Sequence, residues 1–320
     1  MTAATETGYP VPDRPVIRFT WHTGDWFEIF QKHTALIQSD IARARAEDRM
    51  VVYLSCPVSS RGGSHARTNT EVANFVTRRL ADRWGERFFV LNPAAYQLES
   101  REGTGLIMRH IAELAWETGR DITLETLKAE AEPGGGDYMR MWTRVITEDG
   151  YLEDGYPGDP PDRTRRGRQL AGLFDAVYFL GPDDVHAFFD PGGTGSLVRE
   201  VEEYFARKSA VDPGFCADFG TVPSGGTPRL LCLTDPADAA VWEERRKEFV
   251  RYYTVRAGAA YSRGSHDEWN IFVRLNRLRT ADPCYGPGEQ VAFYFAGRAR
   301  GMAEAELAVS PGYEVPAPAG

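Results

Sequence analysis

Met50-Val-Val-Tyr-Leu-Ser55, followed by the polar stretch Ser59-Ser-Arg-Gly-Gly-Ser-His-Ala-Arg67, decides the fold. The first run is short, apolar and β-branched, and Pro57 closes it, which predicts a strand buried on both faces. The second is a glycine-bearing loop. Beyond it, Thr68-x-x-Glu71 fits a capping box, and Val72, Phe75, Val76, Arg79 and Leu80 recur at helical spacing. Phe88-Phe-Val-Leu91 is a second strand, stopped by Asn92-Pro93. Strand, loop, helix and strand make a βαβ unit.

On the amino-terminal side, Trp26, Ile29, Phe30, Leu36, Ile37 and Ile41 predict an amphipathic helix between Asp25 and Asp48, and residues 1–20 read as an arm. On the carboxyl side, 104–131 and 137–147 read as helical around the break Gly134-Gly-Gly136, and 150–168 as a long surface loop. Ala176-Val-Tyr-Phe-Leu180 is a third strand, opening into a loop that ends in Pro191-Gly-Gly-Thr-Gly-Ser196. A helix follows over Leu197–Ser209. Arg229-Leu-Leu-Cys-Leu233 reads as a fourth strand, 235–256 as a long helix, 267–306 as further helical material and the tail from Ser310 as loose. The expectation is an α/β fold with a mostly parallel sheet covered on both faces. Ligands of such folds bind where the carboxyl ends of the strands gather their loops, here 55–69, 92–102 and 181–196.

Composition narrows the function classes. The 320 residues are 42% apolar and 26% charged, as in globular rather than disordered chains. No apolar run approaches the roughly 18 residues of a spanning helix, and no apolar core of a signal peptide precedes residue 15, so the expected location is the cytoplasm without a membrane partner. A net charge of −9 argues against a nucleic-acid polymer as partner. Lysine occurs only at 32, 128, 208 and 247, so an anionic ligand would meet arginine forks. Cys56, Cys216, Cys232 and Cys284 form no CxxC pair, and the six histidines form no HExxH, so neither metal nor cofactor is expected. Neither GxGxxG nor GxxxxGK[ST] occurs, which leaves a dinucleotide fingerprint and a P-loop without support.

Several side chains qualify for chemistry. The Pro191–Ser196 turn sets Gly193, Thr194, Gly195 and Ser196 at a helix amino terminus, where a phosphate or carboxylate would suit the amides; a plain turn is the alternative. On the following helix Glu200 and Glu202 flank the buried stripe, and Glu203 points away from it. Glu200 sits in the first turn, either facing the cleft or simply favourable beside the dipole. In the first loop Ser59, Arg61, His65, Arg67 and Asn69 offer polar contacts, with a solvated loop as the alternative. Cys56 lacks a partner pattern and reads as a buried thiol. In Asp137-Tyr-Met-Arg-Met-Trp142 the Met and Trp read as core. Asp175 precedes the third strand, and Asp183-Asp184 follow it at the ligand end.

Tyr53-Leu-Ser-Cys-Pro57, Leu91-Asn-Pro93, Asp137-Tyr-Met and Phe174-Asp-Ala-Val-Tyr-Phe-Leu180, with the Gly/Ser loop and a Glu-bearing helix, resemble the nucleoside 2-deoxyribosyltransferase-like proteins. The Pro191–Ser196 turn is also similar to the PGGxGT loop of cytokinin-riboside-monophosphate phosphoribohydrolases. The resemblance spans roughly residues 50–235. It implies a Rossmann-like core over 49–235, with 1–48 as arm and helix and 236–320 as a helical extension and tail. It also implies an N-glycosidase or (deoxy)ribosyltransferase acting on a nucleoside or nucleotide, and a homo-oligomer that completes its site across a dimer. The catalytic carboxylate it implies is Glu200, with Glu202 in reserve; the family pattern sets this Glu one position earlier, at Arg199. Asp175 or Asp184 would contact ribose or protonate the leaving base, and Tyr53 and Ser59 would line the pocket. The turn amides with Arg61 would take a 5′-phosphate. The alternatives are a nucleotide-sensing module without turnover, or a specialised-metabolism enzyme using the fold for other chemistry.

Overall fold

Strand β1 (Met50–Ser55) is flanked by β2 (Phe88–Leu91) and β3 (Ala176–Phe179), both parallel to it. The computed structural model describes residues 24–58, 63–98, 101–130, 133–147, 174–193, 195–223, 228–281, 286, 288–301 and 304. The arm 1–20, the surface loop 150–168 and the tail from 310 lie outside them. Strand β6 (Ala292–Phe295) adds in parallel to β3, and β7 (Arg298–Arg300) closes the sheet antiparallel, giving the order β2-β1-β3-β6-β7. The fold is α/β with a mostly parallel five-stranded sheet, compatible with a Rossmann-like arrangement.

Successive side chains of β1 point to opposite faces. Val51 and Tyr53, with Val177, Phe179 and Phe293, pack on one helical layer: α1 (Asp25–Ala46), α3 (Arg101–Thr118), α4 (Leu124–Glu130), α5 (Gly135–Thr147) and α10 (Arg263–Ala281). Val52 and Leu54, with Ala176 and Tyr178, meet the other: α2 (Ala66–Trp84), α6 (Pro182–Phe189), α7 (Leu197–Val211), α8 (Pro213–Gly220) and α9 (Pro236–Arg251). None of the described helices is long and apolar enough to cross a membrane.

Five expectations are corrected. Arg229–Leu233 is not the fourth strand of this sheet: only Arg229–Leu230 is extended, as β5, in a hairpin with β4 (Thr221–Val222) that leaves Leu230 exposed. The sheet instead takes β6 and β7 from the stretch read as helical. The 181–190 loop holds α6, and the helical reading of 104–131 breaks between α3 and α4, where Gly119 adopts φ +66°. Helix α2 starts at Ala66, and its cap is the His65 side chain, which accepts from the Thr68 amide. Thr68 and Glu71 therefore form no capping box. Glu71 accepts from Tyr204 and Lys208 across the layer.

A histidine pair ties α1 to α3. His33 is fully buried; its Nε2 lies 2.8 Å from the Tyr96 carbonyl and its Nδ1 3.1 Å from His110 Nε2. A carbonyl only accepts, so Nε2 of His33 carries its proton and Nδ1 accepts from His110. Burial, aided by the neighbouring imidazole, lowers His33 from 6.5 to about 4. The unfolded chain then takes up a proton that the fold refuses, so stability falls as pH drops from 6.5 to 4, by up to about 3 kcal/mol. His33→Gln supplies a donor and an acceptor in the same places and should shrink that decline, read by urea unfolding at pH 7, 5.5 and 4. An unchanged slope would remove His33 as its source.

Candidate functional site

The parity of β1 sends Tyr53 and Ser55 to the α10 face. There Glu268 meets both: Tyr53 Oη donates to its Oε1 at 2.6 Å and Ser55 Oγ to its Oε2 at 2.5 Å. All three residues are buried. Glu268 stands on the stripe of α10 that carries Ile271, Phe272 and Leu275, so the helix drives it inward with its apolar neighbours. Burial raises its carboxyl from 4.5 to about 7; the two hydroxyl donors oppose the shift, and the neighbouring Asp267 adds to it. The carboxyl is thus poised between its two forms at neutral pH.

Glu268 lies on the wall of a cavity of about 690 Å³ at the carboxyl ends of β1 and β2, a volume suited to a small-molecule ligand. Cys56–Val58 enter from β1 and Pro93 and Gln97 from β2, while α5 brings Tyr138, Met139 and Trp142. Tyr252 and Arg256 come from the π-helical turn Tyr252–Arg256 that continues α9, a geometry frequent at functional sites. Tyr261 to Ser265 complete the wall at the start of α10. Gly258 makes this approach possible. Its φ of +138° is open to glycine alone, and the Leu180 carbonyl would lie 3.4 Å from an added Cβ. The next residue, Ala259, then donates to that carbonyl at 2.7 Å, fastening the segment to the end of β3.

The residues singled out from the sequence fall in different places. Tyr53 is at the cavity through Glu268. Asp137 is buried beside the cavity wall, and its carboxylate accepts from the Gly134 amide at 2.8 Å at the start of α5. Asn69 is buried in the first turn of α2, donating to Ser64 and accepting from the Tyr253 hydroxyl at 2.8 Å. Asp175 stands at the amino end of β3, away from the ligand edge, where it accepts from the Val51 amide and pairs with Arg45. Asp184 caps α6, accepting from the Gly181 amide and the Tyr178 hydroxyl.

Glu200 pairs with Arg199 at 2.9 Å and Glu202 with Arg246 at 3.0 Å, on the α7 surface and outside the cavity wall. In the glycine turn, Gly193 and Gly195 have φ of +63° and +80°, and their amides bond to the carbonyl and carboxylate of Asp190. That turn already holds an internal anion. Ser196 precedes α7 without a side-chain cap. Ser59, Arg61 and Thr194 lie outside the described residues. Cys56 lines the cavity as a neutral thiol, because burial pushes its proton affinity up.

Sequence reasoning missed Glu268, although a signal existed. A carboxylate four residues before Phe272 and seven before Leu275 belongs to an apolar helical stripe, where a charge has no ordinary reason to sit. Among the described residues no group of three or more His, Cys, Asp or Glu could hold a metal ion. The chain matches no known family model, no curated protein and no solved structure.

A carboxyl raised on folding destabilises the native state where the unfolded chain has already ionised. The deficit opens above pH 4.5 and is complete above about 7, on the order of 3 kcal/mol. Glu268→Gln keeps the shape without the charge. The stability of the variant relative to the parent should therefore rise by about that amount between pH 5 and 8 in chemical unfolding, and a difference flat in pH would contradict a buried, shifted Glu268.

Proposed function

We propose that this protein is an enzyme with a Rossmann-like core that cleaves the N-glycosidic bond of a nucleoside or nucleotide, and that Glu268 is its catalytic carboxylate. The observation that carries the reading is Glu268 itself. It is a desolvated carboxyl near its midpoint at neutral pH, oriented at both oxygens by β1 hydroxyls, on the wall of a cavity flanked by Tyr138, Trp142, Tyr252 and Tyr261. Flat aromatic faces suit a planar base. A carboxylate in a low-dielectric cavity suits the cationic sugar that forms as such a bond breaks.

The step balances without a cofactor. The C1′–N bond breaks, its electron pair leaves on the base nitrogen, and positive charge spreads over C1′ and the ring oxygen. The Glu268 carboxylate stabilises that charge. Water then adds its hydroxyl to C1′, and its remaining proton neutralises the departed base; a second base in place of water gives transfer. Tyr53 and Ser55 are positioning residues that act through Glu268. On this reading the task implied by resemblance for Glu200 is performed from α10.

Chromatographic detection of free or exchanged base, from a panel of nucleosides and nucleotides, is the direct test. Release should follow a rising acid limb near pH 7, because the ionised carboxylate is the active form. Glu268→Gln should abolish release with the fold intact. Tyr53→Phe or Ser55→Ala, each removing one donor to the anion, should move the limb upward by up to about one pH unit. A limb that stays put would show that these hydroxyls do not tune Glu268. A sensing module would bind a member of the panel and release nothing, and that outcome would overturn the enzymatic reading.

A further inference from the structure

Helix α3 covers the sheet with Ile107, Ile111 and Leu114, which belong to the core of its layer. Its outward pole is apolar as well. Gly105, Met108, Ala112 and Trp116 share that pole at three- and four-residue spacing, and all four are exposed. Met108 is 48% exposed and Trp116 89%, the most of any large apolar side chain among the described residues. A tryptophan held in water on a rigid helix, beside a methionine, marks a contact surface. Gly105 is an independent sign. An added Cβ there would meet nothing within 4 Å, so the protomer has no need of a glycine that weakens its helix. Gly103, by contrast, is required within the protomer, because its Cβ would collide with the Gln97 carbonyl. Charges run in order along one flank of the pole: Arg109, then Glu113 and Glu117. Glu117 also holds Lys32 of α1 at 2.7 Å, and Glu113 lies 3.6 Å from His110. Arg109 forms no ion pair among the described residues.

We propose that this face docks a second copy of the chain, with the two α3 helices antiparallel about a two-fold axis at Ala112. In such a pair each flank meets its own copy with the direction reversed. Met108, before the axis, then lies level with the partner's Trp116, equally far beyond it. The indole covers the thioether and the small Ala112, a favourable sulfur–aromatic contact. Arg109 falls between the partner's Glu113 and Glu117, about 3 Å along the axis from each, and borders the indole face. Gly105 lies level with the partner's Gly119, where the two backbones approach. A parallel pair would instead set the charged flank against Thr104 and Ala115 and leave its charges without partners. Charge order therefore selects the antiparallel pair. The cavity wall includes no α3 residue, so this surface stands apart from the glycosidic reading and from any site shared between copies. From Gly105 to Glu117 the face is about 18 Å long, at the small end of protein interfaces, so micromolar affinity is expected.

The test is sedimentation equilibrium on the full chain from about 1 to 200 µM, where a monomer–dimer equilibrium should appear. Trp116→Ala should weaken association at least about thirtyfold, the scale of losing an interface tryptophan. Its thermal unfolding at low concentration should match the parent, because the side chain is exposed in the protomer. Arg109→Glu should weaken self-association by facing Glu113 and Glu117, and Glu113→Arg by facing Arg109. Mixing these two variants should restore a dimer, because each then meets the opposite charge across the axis. Only copies paired antiparallel through this flank give that restoration. A chain that stays monomeric throughout the range overturns the proposal, as does a dimer unmoved by Trp116→Ala. Charge variants that lose association and do not recover it on mixing overturn it too.

Discussion

The constraint on which the architecture depends is that β1 is buried on both faces. A central strand of this kind needs two helical layers: α1 from before the strand joins α3, α4, α5 and α10 from after it in one, and α2 with α6 to α9 makes the other. Because α10 is needed to cover Tyr53 and Ser55, and their hydroxyls need acceptors, a carboxylate on the inner face of that helix resolves two problems at once. Neutral donors lower the cost of a buried anion without cancelling it. The carboxyl of Glu268 therefore settles near 7, neither in the ordinary range nor locked in the neutral form.

Other carboxylates show by contrast what makes this one distinctive. Asp175 bonds a backbone amide and a guanidinium at the amino end of the sheet, and Asp238 sits in the fork of Arg229, which holds its carboxyl down at about 2. Asp184 spends one oxygen on the amide at the start of its own helix. Those groups fasten structure, and each uses a backbone amide to do so. Among the described residues Glu268 uses only side-chain hydroxyls from another element, and it borders a cavity. A carboxylate placed in this way is at once destabilising to the fold and available for chemistry, a combination typical of functional sites.

The βαβ unit at 50–91 was legible because its signals are local: a β-branched run, a glycine loop, a 3.6-residue period and an Asn-Pro stop. What the sequence concealed is non-local. Leu230-Leu-Cys-Leu233 is as apolar as a core strand, and Val291-Ala-Phe-Tyr-Phe295 is no more so, yet the second joins β3 while the first lies on the surface. Strand identity depends on which edge the chain can reach, and no property of either run encodes that. The cavity had the same difficulty. Its β1 half, from Tyr53 to Cys56, could be read early, whereas its other half is assembled from α5, the turn at 252–256 and the start of α10, segments that share no motif and meet only because the layer closes over Tyr53.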